Sequence, residues 1–168
     1  PIPMEVAKKL MNKANPHYIG AMHGMLPVHL GMRIRLLGAL DLANGLVKDA
    51  ECEVVHIVPS PLDQDEVDAA MSSGADTIYL RHLPLGVWVH MGKYTGAPFC
   101  KTLFEQEDSL LPSQTQSLVF IEPRTSEAFI FRDHKVIRTG FPFSHGQVIT
   151  STACQGRTMR AGVTIDCG

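Results

Sequence analysis

Hydrophobic and polar positions alternate along several short stretches of this sequence, a pattern typical of half-buried strands. In residues 30–37, Ile34 and Leu36 share one face, while Arg33 and Arg35 share the other. Further strands are predicted at residues 51–58, 77–80, 86–90, 117–122, 128–131 and 135–139. Such closely spaced short strands predict a small barrel or sandwich.

Turn residues separate these strands. The segment Asp41-Leu42-Ala43-Asn44-Gly45 has the composition of a turn. Between the last two predicted strands, Arg132-Asp133-His134 predicts a tight hairpin loop.

Two short helices are predicted by apolar spacing and by residues that favour helix starts. Apolar residues recur at helical spacing from Met4 to Met11, directly after Pro3, a residue that suits the first turn. Asp63 followed by Glu66 is a capping-box pattern, which predicts a helix over Gln64–Ser72.

The last 27 residues have a different pattern. Ser144 and Gln147 form a second capping box, which predicts a helix, although the propensity of residues 148–153 alone favours a strand. A polar turn at residues 155–158 and an apolar strand at 163–166 follow. The order helix, turn and strand belongs to an α/β layer.

The chain therefore divides into three predicted parts. Residues 1–29 form a lead-in helix and loop, residues 30–141 form the small β-barrel, and residues 142–168 form the helix-turn-strand unit. Because the sequence begins Pro1-Ile2-Pro3 and stops soon after an apolar strand, we expect it to be a segment of a longer protein.

Composition and charge exclude several classes of protein. With 45% apolar and 19% charged residues, the chain is neither a disordered tail nor collagen-like, and no apolar run approaches the ~18 residues of a membrane span. The net charge of -2 gives no global basic field, so any contact with nucleic acid must come from a local patch. The four cysteines lack C-x-x-C spacing, which predicts no metal site and suits a reducing, intracellular compartment.

Two blocks of sequence carry the most specific signal. The upstream block is Gly31-Met32-Arg33-Ile34-Arg35-Leu36. The downstream block contains Arg138-Thr139-Gly140-Phe141-Pro142, Thr150, Gln155-Gly156-Arg157-Thr158 and Val163-Thr164-Ile165-Asp166. Together they resemble conserved segments of superfamily 1 DNA helicases of the Pif-like and RecD-like type.

The resemblance implies a fold and a parent protein. The fold is mainly β with an α/β tail, in which a small Src-homology-like β-barrel is inserted in a partial RecA-like motor domain. The parent is an ATP-dependent DNA helicase, whose upstream motor domain binds ATP and Mg²⁺. The implied partners are single-stranded DNA and that upstream domain, with no membrane.

The resemblance also implies roles for individual residues. Gln155 and Gly156 couple the nucleotide to DNA, and the DNA-binding residues are Thr150, Arg157, Thr158 and Arg138. The chemistry is consistent, since Gly156 permits close approach of backbone N–H groups to a phosphate and the Thr158 hydroxyl can donate to one. The alternative is an ordinary helix-to-strand turn, in which Gly156 supplies only a positive φ.

The sequence lacks G-x-x-x-x-G-K-[ST], the loop that cradles a triphosphate, so we expect the isolated chain to be catalytically inactive. It also departs from the resembled pattern, with Thr152-Ala153 in place of His-Lys and Gly140 in place of a Gln. A second hypothesis therefore stays open: a stand-alone or degenerate β-barrel that acts as a binding or interaction module without motor activity.

Overall fold

The fold of the chain, given by a computed structural model, is mainly β. The structure describes residues 2–12, 22–23, 27–97 and 117–146. Its strands are β1 (Arg33–Leu36), β2 (Glu51–Val58), β3 (Gly86–His90), β4 (Leu118–Ile121), β5 (Arg124–Thr125), β6 (Phe129–Phe131), β7 (His134–Val136), β8 (Thr139–Gly140) and β9 (Phe143–His145). Its helices are α1 (Met4–Met11) and α2 (Gln64–Ser72). The prediction of a β-rich fold is confirmed.

An open antiparallel sheet of five strands, in the order β4-β3-β2-β1-β9, forms the main body of the described residues. Its first four strands follow the chain as a meander, and β9 returns to pair with β1. The pairing of β2 with β3 shifts register between Val54 and His56, an irregularity that bends a strand.

One face of this sheet forms the core. The fully buried residues come from every strand of the sheet and include Ile34, Val54, Val89, Val119 and Phe143. Burial of aliphatic and aromatic side chains at this density stabilises a sheet by the hydrophobic effect. The main sheet is therefore the stable scaffold that positions the other elements.

Two small ribbons and α1 lie outside the main sheet. Strands β5 and β8 pair with each other, as do β6 and β7. Leu10 of α1 is buried with Val136 of β7 in a second, small apolar cluster. The loop between β6 and β7 consists of Arg132 and Asp133, whose φ values of 47° and 64° suit the type I′ turn of a two-residue hairpin. The predicted hairpin is confirmed.

Both predicted helices are present, and α2 has the predicted bounds, but the start of α2 is built differently. Asp63 stands at its N-cap without a side-chain capping bond, because its carboxylate instead accepts hydrogen bonds from His82. The capping-box prediction therefore located the helix correctly and assigned the wrong role to the carboxylate.

Several sequence predictions differ from the structure. Residues 77–80 form no strand, and the strand predicted at 135–139 is divided between β7 and β8. Ser144 lies inside β9, where it pairs with Arg35 of β1. Pairing with β1 holds Ser144 in a strand, so it does not cap a helix. The helix, turn and strand predicted over 147–166 lie outside the described residues.

Candidate nucleic-acid interface

The upstream sequence block and the strand that follows the start of the downstream block lie side by side in the main sheet. Strand β1 belongs to the upstream block, and β9 directly follows the F-P segment of the downstream block. Leu36 pairs with Phe143, and the Leu37 N–H donates to the Pro142 carbonyl at 2.8 Å. Residues 111 positions apart, Arg35 and Gly146, are thus brought into contact.

Arg35 sits at the centre of this junction. Its side chain is almost fully buried, whereas Arg33, on the same predicted face, is exposed. The Arg35 Nη2 donates to Glu51 Oε1 at 3.3 Å and to the Gly146 carbonyl at 3.1 Å. Its Nε is buried without a hydrogen-bond partner. The guanidinium therefore ties β1, β2 and the end of β9 together, and its charge is unavailable for DNA.

Gly146 is the last described residue, and it approaches β1 closely. Its N–H donates to the Arg33 carbonyl at 2.7 Å. A Cβ at this position would meet the Arg33 carbonyl carbon and oxygen at 3.0 Å and the Ile34 nitrogen at 3.1 Å. The backbone-to-backbone contact leaves little room for a side chain, so glycine is the residue that fits here.

Arg138, predicted to bind DNA, contacts the protein backbone in this structure. Its Nη2 donates to the His23 carbonyl at 3.0 Å and its Nη1 to the Met22 carbonyl at 3.4 Å. Its own N–H donates to Ser126 Oγ at 3.1 Å. Burial lowers the pKa of Arg138, although an arginine stays charged throughout the physiological range. The contacts give Arg138 a structural role, and its contact with DNA stays a prediction.

His23 is affected by the same arrangement. Burial, and to a smaller extent the nearby Arg138 charge, lower the pKa of His23. Its Nε2 is buried and has no hydrogen-bond partner. The imidazole is therefore neutral at physiological pH, which avoids two unscreened positive charges side by side.

The other predicted site residues, Thr150, Gln155, Gly156, Arg157 and Thr158, lie outside the described residues. Further arginines that could contact phosphates differ in their surroundings. Arg33, Arg124 and Arg132 are exposed, whereas Arg81 pairs with Glu66 at 2.8 Å. Because Arg35, Arg81 and Arg138 contact protein groups, they do not join these exposed arginines in one free cationic groove.

One polar cluster was not predicted from the sequence. Asp63, 1% exposed, accepts a hydrogen bond from the His82 N–H at 2.9 Å, and its other oxygen lies 2.7 Å from His82 Nδ1. These bonds lower the pKa of Asp63. The two residues are 19 positions apart, and no spacing rule links them, so only the fold of the segment between them reveals the pair.

Cys52 illustrates how the core affects a reactive group. Burial, with a smaller effect of Glu51, raises the pKa of the Cys52 thiol to about 12. A thiol with such a pKa is protonated and unreactive at neutral pH. Cys52 is therefore a small core residue of β2, with no chemistry of its own.

Comparison of the chain with models of protein families, with curated proteins and with solved structures finds no match. Within the described ranges, no three His, Cys, Asp or Glu side chains are grouped so that they could hold a metal ion. No helix in the part of the chain that the structure describes is long and apolar enough to cross a membrane.

Proposed function

We propose that this chain is part of an ATP-dependent DNA helicase of superfamily 1. In this proposal the chain contributes contacts to the backbone of single-stranded DNA and couples those contacts to the nucleotide. ATP and Mg²⁺ are bound by an upstream motor domain, because the sequence has no phosphate-binding loop of its own.

The observation that carries the proposal is the pairing of β1 with β9. Strand β1 carries the upstream block that resembles the helicase family, and β9 directly follows Phe141-Pro142 of the downstream block. The two strands are distant along the chain and hydrogen-bonded neighbours in space. A chance resemblance of two unrelated segments gives no reason for them to be adjacent. A shared structural unit gives a direct reason, since both segments then form one part of the motor.

The barrel belongs to the proposal as well. It is supported by the strand order, in which a meander of four strands is followed by a fifth that returns beside the first. It is also supported by the irregularity of β2, since such bends allow a sheet to coil. In the described residues the sheet is open, with β4 and β9 at its two edges.

The proposed DNA contacts come from the Gln155–Thr158 turn and its neighbours. Gly156 lets backbone N–H groups approach a phosphate, while Arg157 and the hydroxyls of Thr158 and Thr150 contact the DNA backbone. Gln155 faces the nucleotide of the upstream domain. Such contacts carry no base information, so binding is indifferent to DNA sequence.

The second candidate function is a binding or interaction module without motor activity. It is favoured by Thr152-Ala153, which replace a polar pair of the helicase pattern, and by the contacts that bind Arg138 to the protein backbone. The substitution replaces two polar groups, and the backbone contacts occupy the Arg138 guanidinium, so fewer polar groups are free to contact DNA or nucleotide.

Salt-dependent DNA binding by the complete protein distinguishes the two candidates. Arg157→Ala is expected to lower the salt slope by ~0.7, the value for one lost single-strand phosphate contact. Thr158→Val keeps the shape, removes a donor and is expected to weaken binding by about 1 kcal/mol. The measurement is fluorescence anisotropy with two oligonucleotides of unrelated sequence.

The control is Lys48→Ala, which removes an exposed cation from the connection between β1 and β2 and is expected to leave the slope unchanged. An unchanged slope for Arg157→Ala, together with unchanged affinity for Thr158→Val, would contradict the proposal and favour the interaction module. The isolated chain is expected to show no DNA-stimulated ATP hydrolysis, and turnover above a contaminant control would also contradict the proposal.

A further inference from the structure

The connection between β2 and β3 forms a separate feature, which we name the arm and define as residues 59–85. It contains the 3₁₀ turn Pro61–Asp63, helix α2 and an extended return to β3. No residue of α2 is buried. A nine-residue helix is shorter than the ~12–15 residues at which an isolated helix becomes even marginally stable in water. Its stability must therefore come from contacts at its ends or from a covering partner.

Contacts at the base of the arm, between residues 63–66 and residues 81–82, hold it in a defined shape. The buried Asp63 carboxylate binds both the backbone N–H and the ring of His82. Arg81 pairs with Glu66 at 2.8 Å, which links the return segment to the first turn of α2. These contacts hold the return segment beside the start of α2, although few residues of the arm are buried.

The arm exposes large apolar side chains. Tyr79 is 87% exposed, and Met71 of α2 is 71% exposed. The other large apolar residues exposed along the arm are Leu62, Leu83 and Leu85. Exposed apolar residues concentrated on one short segment mark an interaction surface, and Tyr and Met are enriched in protein–protein interfaces.

The charge of the arm selects the kind of partner. The arm carries five acidic residues, Asp63, Asp65, Glu66, Asp68 and Asp76, against the single basic residue Arg81, a formal net charge of −4 with histidine neutral. The other described residues carry ten basic and eight acidic side chains, a net charge of +2. Asp63 is buried, so the exposed side chains of the arm, four acidic and one basic, carry a net charge of −3. Such an anionic surface repels the phosphates of DNA and a second copy of itself, and it attracts a basic surface.

We propose that the arm is a docking surface for a basic amphipathic protein segment, one with an apolar stripe flanked by Lys or Arg. The stripe covers Met71 and Tyr79, and the basic residues face the exposed carboxylates of α2. The proposal does not depend on the proposed helicase function, because it uses a different region of the chain and a different kind of partner.

The probe for the test is a short amphipathic peptide of Leu and Lys, compared with a scrambled peptide of the same composition. We expect the amphipathic peptide to bind the chain and to shift the NMR amide signals of the arm. Two variants are measured: Asp65→Asn with Asp68→Asn and Asp76→Asn, and Met71→Ala with Tyr79→Ala. Each is expected to weaken binding about tenfold, as loss of interface contacts of this kind does.

Matched controls remove the same groups elsewhere. The charge control is Glu122→Gln with Glu127→Gln and Asp133→Asn, and the apolar control is Ile130→Ala with Ile137→Ala, all at exposed positions. We expect both controls to bind as the parent chain does. Because no altered residue is buried, circular dichroism should confirm that every variant is folded.

Four outcomes would overturn the proposal. Equal weakening by the arm and control variants would mean non-specific charge attraction, and equal binding of the scrambled peptide would mean the same. Arm-dependent dimerisation of the free chain would assign the surface to a second copy. Shifts of the arm signals by an oligo-dT strand would assign it to nucleic acid.

Discussion

The main sheet and the arm are stabilised by different kinds of contact. In the sheet, Ile34, Val89, Val119 and Phe143 are completely buried, so the strands stabilise one another. In the arm, no residue of α2 is buried, and the shape depends on polar contacts at its base. The difference indicates that the described strands of the sheet stabilise one another through a shared core, whereas the arm presents a surface that fits a partner.

The largest expected effect comes from the core of the sheet. Phe143→Ala removes a fully buried aromatic ring that packs beside Phe141, and it is expected to lower the free energy of unfolding by about 3–5 kcal/mol. Urea unfolding followed by circular dichroism measures the change. A loss below about 1 kcal/mol would mean that β9 is not part of the core.

Gly146→Ala tests the close approach of β9 to β1. The added methyl group meets backbone atoms of Arg33 at 3.0 Å, which cannot move as a flexible side chain would. We expect a destabilisation of about 1–3 kcal/mol, as for other overpacked sites. The matched substitution is Gly92→Ala, where no atom lies within 4 Å and the φ is outside the positive region that opposes alanine. If Gly146→Ala costs no more than Gly92→Ala, the two strands are not in close contact.

The pH dependence of stability distinguishes His23, which lies near Arg138, from Asp63 in the arm. Both pKa values are lowered on folding, so each group stabilises the fold above its unfolded pKa and ceases to do so as the pH falls through its folded pKa. For His23 the loss begins below its ordinary value of 6.5, because the unfolded chain then binds a proton that the folded chain resists. For Asp63 it begins below 3.8.

Melting temperatures measured from pH 8 to pH 3 check both windows. We expect His23→Gln to abolish the decline just below pH 6.5 and Asp63→Asn to abolish the decline below pH 3.8. A decline below pH 6.5 that persists unchanged in His23→Gln would show that another group is responsible.

The smallest expected effect is on the exposed face of the arm. Met71→Ala should change the free energy of unfolding by no more than about 0.5 kcal/mol, because the side chain is 71% exposed and contributes little to packing. The same urea experiment as for Phe143→Ala provides the measurement. A destabilisation above about 1 kcal/mol would mean that the arm packs against the body of the protein.

Local signals explain which elements could be predicted from the sequence. Strand β3 and helix α2 were predicted with their observed bounds, because a short run of strand-favouring apolar residues and helix-start residues are signals that act within a few positions. The β6–β7 hairpin was predicted for the same reason, since Arg132-Asp133-His134 is a short polar interruption between two predicted strands, although His134 proves to be the first residue of β7.

Long-range contacts explain what the sequence did not predict. Ser144 has the local signal of a helix cap, but pairing with Arg35 in β1 decided its conformation. Asp63 has the same signal, but His82 occupies its carboxylate. Arg138 resembles a residue that contacts DNA, yet carbonyl groups from residues 22–23 surround its guanidinium. Each of these partners lies at least 19 positions away along the chain, beyond the reach of any local pattern.

Hydrogen exchange read by mass spectrometry tests the contrast between sheet and arm most directly. In the free chain, the amides of α2 are expected to exchange far faster than those of β2 and β3, because a helix without a buried face opens at little cost. Addition of the amphipathic basic peptide should slow exchange in α2 and leave the sheet unchanged. If α2 already exchanges as slowly as the sheet, or if the peptide leaves its exchange rate unaltered, the arm is not a surface that awaits a basic partner.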